Sequence, residues 1–356
     1  MTMSKLENTV DVRNKTLDIM KGLGMLFIIM DHCEPVPIEI RHITMSFLMP
    51  MFFMVGGYMY KPRTDLLADA SKAARRLLLP YLAGGIILCL QAIYVAGFSY
   101  GRALEMLISG GGVPNYYCHW WSRWECIGAF WFFPAMFWCR VFFNTIFTRC
   151  GRWKYPVLIL TSVAGYVLLR FVIRLPFGIS EGLSVLMFYL LGHLFRLYRQ
   201  YYAGQSATTQ RWLHIASAVQ LIIAIGCSYW CIRYSEIIVS AGYYAHHILN
   251  IVGACGSTYV FYLFCRAVGE NMPRTAGLLC FAGYGSLFIL WIHKISLHFV
   301  FAWPHIWNCC PETIDAAWAA AFLGLQWVFC LACLLIAGQS RTLRNFFGIY
   351  QPVNKD

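Results

Sequence analysis

The chain has 356 residues, 59% of them apolar and 12% charged, about half the ~25% charged share of an average soluble domain, and its mean hydropathy is +0.58. That balance excludes a water-soluble globular domain and a disordered polar chain, since neither carries so much apolar surface. The formal charge of +12 calls for no nucleic-acid partner, because no basic arm is present and cations spread between apolar runs are drawn to anionic lipid.

A helix needs about 20 mostly apolar residues to cross the hydrocarbon core. About ten runs approach that length, at 17–34, 42–60, 77–98, 127–147, 155–169, 182–195, 212–232, 246–265, 278–300 and 316–337. The fold class that follows is all-α: a polytopic membrane protein of about ten transmembrane helices, in a single membrane domain over 1–356 with its helical core at 17–338. Lys and Arg gather on cytoplasmic loops. Lys61, Arg63, Lys72, Arg75 and Arg76 before the third run, and Arg149, Arg152 and Lys154 before the fifth, fall on the same side as Lys5, Arg13 and Lys15. Both termini are therefore expected in the cytoplasm. No small-residue cleavage site follows the first run, which is expected to be retained.

The first run is the least apolar, with Asp18, Lys21, Asp31 and His32 in it. An ionisable side chain within a span costs ~2.5–3.5 kcal/mol on insertion scales, so the set calls for a reason. Lys21 and His32 stand about three turns and about 16 Å of helix axis apart, on nearly the same face, one near each leaflet. One reading is structural: Lys21 snorkels and pairs with Asp18 at i,i+3, while Asp31 and His32 end the helix among headgroups. The other is chemical. A histidine is suited to general-base work near neutral pH, here removing the proton of a sugar hydroxyl as it attacks a thioester, or carrying the acyl group transiently. Asp31 points about 100° away from His32 on a helix, so a partner for His32 is expected from another span.

Before the third run, SKAARRLLLPYL places Lys72, Arg75 and Arg76 at the cytoplasmic surface, either as topology determinants or as a cradle for the phosphates of a donor such as coenzyme A. The long outer connection over 99–126 contains NYYCHWWSRWEC, which reads as an interfacial aromatic belt or as a stacking platform for sugar rings. Cys118 and Cys126 within it are spaced for a disulfide in an oxidising compartment, or stand as free thiols. The other cysteines are scattered singly as small hydrophobes or adjoin as Cys309 and Cys310, and no metal-ligand spacing is present. In the ninth run, His293 follows Ser286 by two turns in GYGSLFILWIHK, and His193 lies in LLGHLFR. Each fits a hydrogen-bonded structural histidine as well as a functional one.

The stretches NKTLDIMKGLGMLFIIMDHCEP and MSFLMPMFFMVGGYMYK, then RRLLLPYL, GAFWFFPAMFW, FYLLGHLFR and GYGSLFILWIH, resemble in order and spacing the membrane acyltransferases of the acyltransferase-3 type, from about Lys15 to His293. That family includes bacterial O-acetyltransferases of surface polysaccharides. The resemblance implies an O-acyltransferase of the bacterial inner membrane. Acyl-CoA, usually acetyl-CoA, would be the donor substrate with no bound cofactor, and the acceptor a carbohydrate hydroxyl of a capsule, exopolysaccharide or lipopolysaccharide precursor.

It places the family's basic residue and histidine, with ten positions between them, on Lys21 and His32. Its donor-contacting basic pair falls on Lys72 and Arg75, with Arg76 adjacent. Three positions depart from the pattern: Asp31 replaces a glycine, Leu48 a second histidine and Gly56 a serine. Loss of that histidine draws attention to His293. The chain resembles the short members with no extracytoplasmic esterase-like domain. A transporter is one alternative, although no inverted repeat and almost no central acidic residue supports it. A non-catalytic partner in a glycan assembly complex is the other.

Overall fold

In hydrocarbon every backbone N–H and C=O has to be satisfied within the protein, and a chain of apolar runs meets that demand with helices. The computed structural model describes residues 14–32, 38–113, 125–234, 237–299 and 316–349. The helices are α1 (Lys15–His32), α2 (Ile38–Tyr58), α3 (Leu66–Tyr94), α4 (Tyr100–Ser109), α5 (Phe132–Arg149), α6 (Lys154–Val167), α7 (Ile179–Ser184), α8 (Leu186–Ala203), α9 (Ala207–Tyr234), α10 (Ile248–Asn271), α11 (Pro273–Tyr284), α12 (Ser286–Phe299), α13 (Ala316–Gln339) and α14 (Arg341–Phe347). A two-residue antiparallel ladder pairs Ile237 with Tyr244 between α9 and α10.

Among the described residues seven stretches are long and apolar enough to cross a membrane, and two bent helix pairs, α7 with α8 and α11 with α12, raise the number to nine. The protein is all-α and multi-pass. Helix α1 stands apart from these nine because Lys15, Asp18, Lys21 and Asp31 fall within its 18 residues. It is nevertheless an interior element: Leu17, Ile19, Met20, Met25, Ile28 and Ile29 are buried, and it packs against α2, α10 and α11.

Two runs that are continuous in the sequence are broken in space. The run at 278–300 divides at Gly285 into α11 and α12, which meet at 76°. Glycine weakens a helix by ~1 kcal/mol relative to alanine, and here Leu334 of α13 fills the break: a Cβ at position 285 would lie 2.2 Å from its Cδ1. The run at 182–195 likewise bends by 48° between α7 and α8. Where it is described, at 99–113 and 125–126, the connection over 99–126 is more than a loop. It opens with α4, where Ser99 Oγ accepts from Arg102 N at 3.3 Å and Gly110 closes the helix in the left-handed conformation. Residues 114–124, with most of the aromatic stretch and Cys118, lie outside the described residues, as do Cys309 and Cys310.

With lipid tails as apolar as leucine, helices associate through close packing, and small residues let backbones approach. Two reciprocal pairs show this. A Cβ at Gly22 of α1 would stand 2.0 Å from Leu279 O of α11, and one at Gly283 of α11 would stand 2.0 Å from Asp18 O of α1. In the same way Gly57 of α2 faces Tyr189 O of α8 at 1.8 Å, and Gly192 of α8 faces Met54 O of α2 at 1.9 Å. Between α9 and α10 the contact is made by Gly256 against Ala224 and by Gly253 against Ser228.

Because the obstacle is backbone and cannot turn aside, Gly22→Ala is expected to lower stability by at least ~1–3 kcal/mol, the usual cost of overpacking. Gly277→Ala on the same helix pair, where a Cβ meets nothing within 4 Å, is expected to be neutral. Thermal unfolding in detergent compares the two, and equal midpoints would refute the packing account.

Candidate active site

Helix α1 carries its polar groups at two levels. Near its start Lys15 Nζ donates to Gly269 O at 3.2 Å, and one turn later Lys21 Nζ meets Asp18 Oδ1 at 2.7 Å, with the aspartate side chain only 3% exposed. The structural i,i+3 pairing read from the sequence is therefore present. It holds Lys21 beside the backbone contact with α11, since Asp18 and Gly22 both lie in that contact.

At the other end of α1, Asp31 and His32 diverge as the 100° step requires. Thr44 Oγ1 of α2 donates to Asp31 Oδ1 at 2.8 Å, and Arg41 donates to Asp31 O at 3.3 Å. His32 turns instead toward α12, where its ring meets that of His293 edge to face, 5.2 Å between centroids and 70° between planes. The partner from another span is thus a second histidine. His32 is exposed, while His293 is 0% exposed, so one imidazole lies behind the other.

Both rings are oriented by their own helices. His32 Nδ1 lies 2.7 Å from Ile28 O and His293 Nδ1 lies 2.9 Å from Leu290 O. A carbonyl oxygen only accepts, so each Nδ1 carries the hydrogen and each neutral ring keeps its lone pair on Nε2. Helix α12 continues the site: Ser296 Oγ donates to His293 O at 2.8 Å, and Gln326 Nε2 of α13 donates to Ser296 Oγ at 2.7 Å. Lys294 reaches over Gly128, whose backbone is left-handed at φ 67° and where a Cβ would stand 3.0 Å from Lys294 Cε. Nearby, burial pushes the Cys126 thiol up in spite of Lys294 and Arg174, which leaves it protonated and unsuited to carry an acyl group as a thiolate.

The departures from the expected pattern are filled by packing. Leu48 is 2% exposed and belongs to the core, and Gly56 lies against the Tyr189 ring, 3.0 Å from where its Cβ would be. His193 is also structural in its surroundings: it is ringed by Tyr60, Phe143 and Phe147 with centroids at 5.0–5.7 Å. Ser286 is the first residue of α12, at the break.

Lys72, Arg75 and Arg76 are exposed on the first turns of α3, and Arg76 lies against the C-terminal turn at Gly348. They stand at the end of the bundle where α1 begins, and about one turn further along α3 Pro80 O accepts from Trp291 Nε1 of α12 at 3.0 Å. That end is identified by contacts among the helix termini: Arg199 of α8 donates to Tyr58 OH of α2 and Tyr262 OH of α10 at 3.1 and 3.0 Å, and Lys15, Arg199 and Arg266 line one cleft. A polar knot fixes α3 there. Asp69 accepts from Arg140 of α5 at 2.5 Å and from Asn144 at 3.4 Å. Asn144 also donates to Arg63 O at 3.0 Å and accepts from Tyr60 OH at 2.6 Å. Sequence reasoning missed this knot, and missed Ser296, Gln326 and the fully buried Arg174–Glu181 pair at 2.9 Å. Single polar residues inside apolar runs were the available signal.

Among the described residues no group of three or more His, Cys, Asp or Glu side chains gathers to hold a metal. The family model described as an acyltransferase domain matches residues 14–338. No curated protein and no solved structure matches the chain.

Arg140→Leu would leave the Asp69 carboxylate, 5% exposed, with Asn144 as its remaining donor, and is expected to cost at least ~1–3 kcal/mol, the penalty of an under-satisfied buried acceptor. Arg140→Leu with Asp69→Leu should recover much of that loss. Unfolding of the single and double variants in detergent checks the coupling, and additive losses would remove it.

Proposed function

The chain belongs to the acyltransferase-3 family, and from that premise we propose that it is an O-acyltransferase which moves an acetyl group from cytoplasmic acetyl-CoA to a hydroxyl of a cell-surface or lipid-linked carbohydrate. The observation that carries the reading is the His32–His293 pair, two imidazoles at 5.2 Å with both Nδ1 atoms held by backbone carbonyls. In this reading His32, the exposed member, is the general base. Its Nε2 takes the proton of the acceptor hydroxyl as that oxygen attacks the thioester carbon; the C–S bond breaks, the ester forms, and the thiolate of coenzyme A leaves with the proton from the imidazolium.

The donor's phosphates are assigned to Lys72, Arg75 and Arg76, exposed cations suited to phosphate oxygens. Lys21, tied to Asp18, is a fixed cation in the span between those residues and His32. With the basic end cytoplasmic, as the distribution of Lys and Arg favours, the histidines face the outer side and the acyl group crosses part of the bilayer before transfer. The membrane is then the bacterial inner membrane, where acyl-CoA is present on one side and envelope glycan on the other.

Radiolabelled acetyl-CoA supplied to membranes should label envelope glycan with the wild-type protein. His32→Ala at matched expression should lower the rate by ~10²–10⁴, the usual contribution of a general base; undiminished label would remove His32 from the mechanism. The topology is checked separately by cysteine substitution at positions 32 and 75 in a cysteine-depleted background. Impermeant reagents should reach position 32 only from outside and position 75 only from inside, and labelling of both from one side would overturn the transmembrane route.

A further inference from the structure

Among the described residues, the buried side of the site holds two acceptors with no donor. Ser296 Oγ commits its hydrogen to His293 O, so it receives the hydrogen bond from Gln326 Nε2, and that fixes the orientation of the amide. Gln326 Oε1 is then left over. It is buried and among the described residues has no hydrogen-bond partner, and the same is true of His293 Nε2, whose ring already uses Nδ1–H on Leu290 O. Gln326 and His293 are each 0% exposed, and Ser296 is 3% exposed. Buried acceptors are almost always paired in native structures, and two unpaired ones on neighbouring helices, joined through one serine, make a place that attracts donors.

We propose that Gln326 is a positioning residue of the acceptor site. Through Ser296 it holds the last turns of α12 and with them the His293 ring, and the unpaired Gln326 Oε1 and His293 Nε2 receive hydroxyl donors of the acceptor molecule. This rests on the acyl-transfer reading above for the identity of the ligand, but the positioning of His293 does not depend on it. The chemistry selects a polyol: hydroxyls supply hydrogens to both acceptors, whereas a carboxylate or ketone supplies none and would leave them unpaired. It also gives a reason for an amide at position 326, in a helix whose neighbouring sequence FLGLQWVFC is otherwise apolar.

Gln326→Leu keeps the approximate shape and removes the chain of hydrogen bonds, and Ser296→Ala breaks the chain at its middle. In lipid nanodiscs both variants are expected to lose about tenfold in kcat/KM for the carbohydrate acceptor, on the scale of one buried hydrogen bond, while the KM for acetyl-CoA stays close to wild type. Wild-type kinetics, or a parallel loss for donor and acceptor that tracks a lower unfolding midpoint, would overturn the proposal. A second measurement is independent of turnover: the nitrogen resonances of His293 in histidine-labelled protein, assigned with His293→Gln. They should report the Nδ1–H tautomer in the wild type and change in Gln326→Leu. An unchanged resonance overturns the positioning role, whereas a changed resonance in a protein that transfers no acyl group supports it and sinks the acyl-transfer reading alone.

Discussion

The site depends on how closely α1 can approach the α11–α12 pair. Helix α1 is the most heavily charged of the long helices, and it reaches the interior because Gly22 and Gly283 let backbone meet backbone, with Leu279 O and Asp18 O where side chains would otherwise stand. Van der Waals contact of this kind is the main attraction available between helices in lipid. Once α1 is seated, its register is set, and the positions of both Lys21 and His32 follow from the helix geometry alone. The 76° break at Gly285 then lets α11 cross the lower part of α1 while α12 rises beside its upper part, which is what brings His293 to His32.

The remaining charged and polar groups are arranged so that they do not compete with this contact. Asp69, Arg140, Asn144 and Tyr60 satisfy one another at the end where α1 begins. Arg174 and Glu181 do so elsewhere, with Arg174 also donating to Val113 O and Ser240 O. A buried pair of this type is weak evidence for stability, since desolvation offsets much of its attraction. Its value here is geometric. Arg174 joins the segment after α4, the turn before α7 and the ladder before α10, three connections that no helix packing would hold together.

Much of this was legible in the sequence. Apolar runs of spanning length identified the helices, and the i,i+3 spacing identified the Lys21–Asp18 pair. The 100° offset between Asp31 and His32 led to the expectation that His32 would find its partner on another span. What was not legible depends on tertiary contacts. The break at Gly285 has no proline to announce it and is filled by Leu334 from a distant helix. The order in α4 rests on caps at Ser99 and Gly110 that look like ordinary loop residues. Gln326 reads as one polar residue in an apolar run, and only its neighbours Ser296 and His293 show why an amide is there. The departure of Leu48 from the family's histidine drew attention to His293, whose ring lies 5.2 Å from that of His32.

The arrangement of α1 bears on the proposed transfer between two aqueous compartments. Its first residues lie in a cation-lined end with Lys15, Arg199 and Arg266, and its last residue is the exposed His32. One helix joins the two ends, so the cation-lined end and His32 are related by the fixed rise of about 1.5 Å per residue. In the proposed reaction the phosphates rest on Lys72, Arg75 and Arg76 of α3 while the proton is taken by His32 of α1, so the acyl group has to reach from one helix to the other. A flexible arm such as the pantetheine of coenzyme A fits that constraint, since it is long, neutral and carries the thioester at its tip. In this reading the small-residue packing that seats α1 and the chemistry at His32 are aspects of the same requirement: the helix must be held firmly for His32 to meet the thioester.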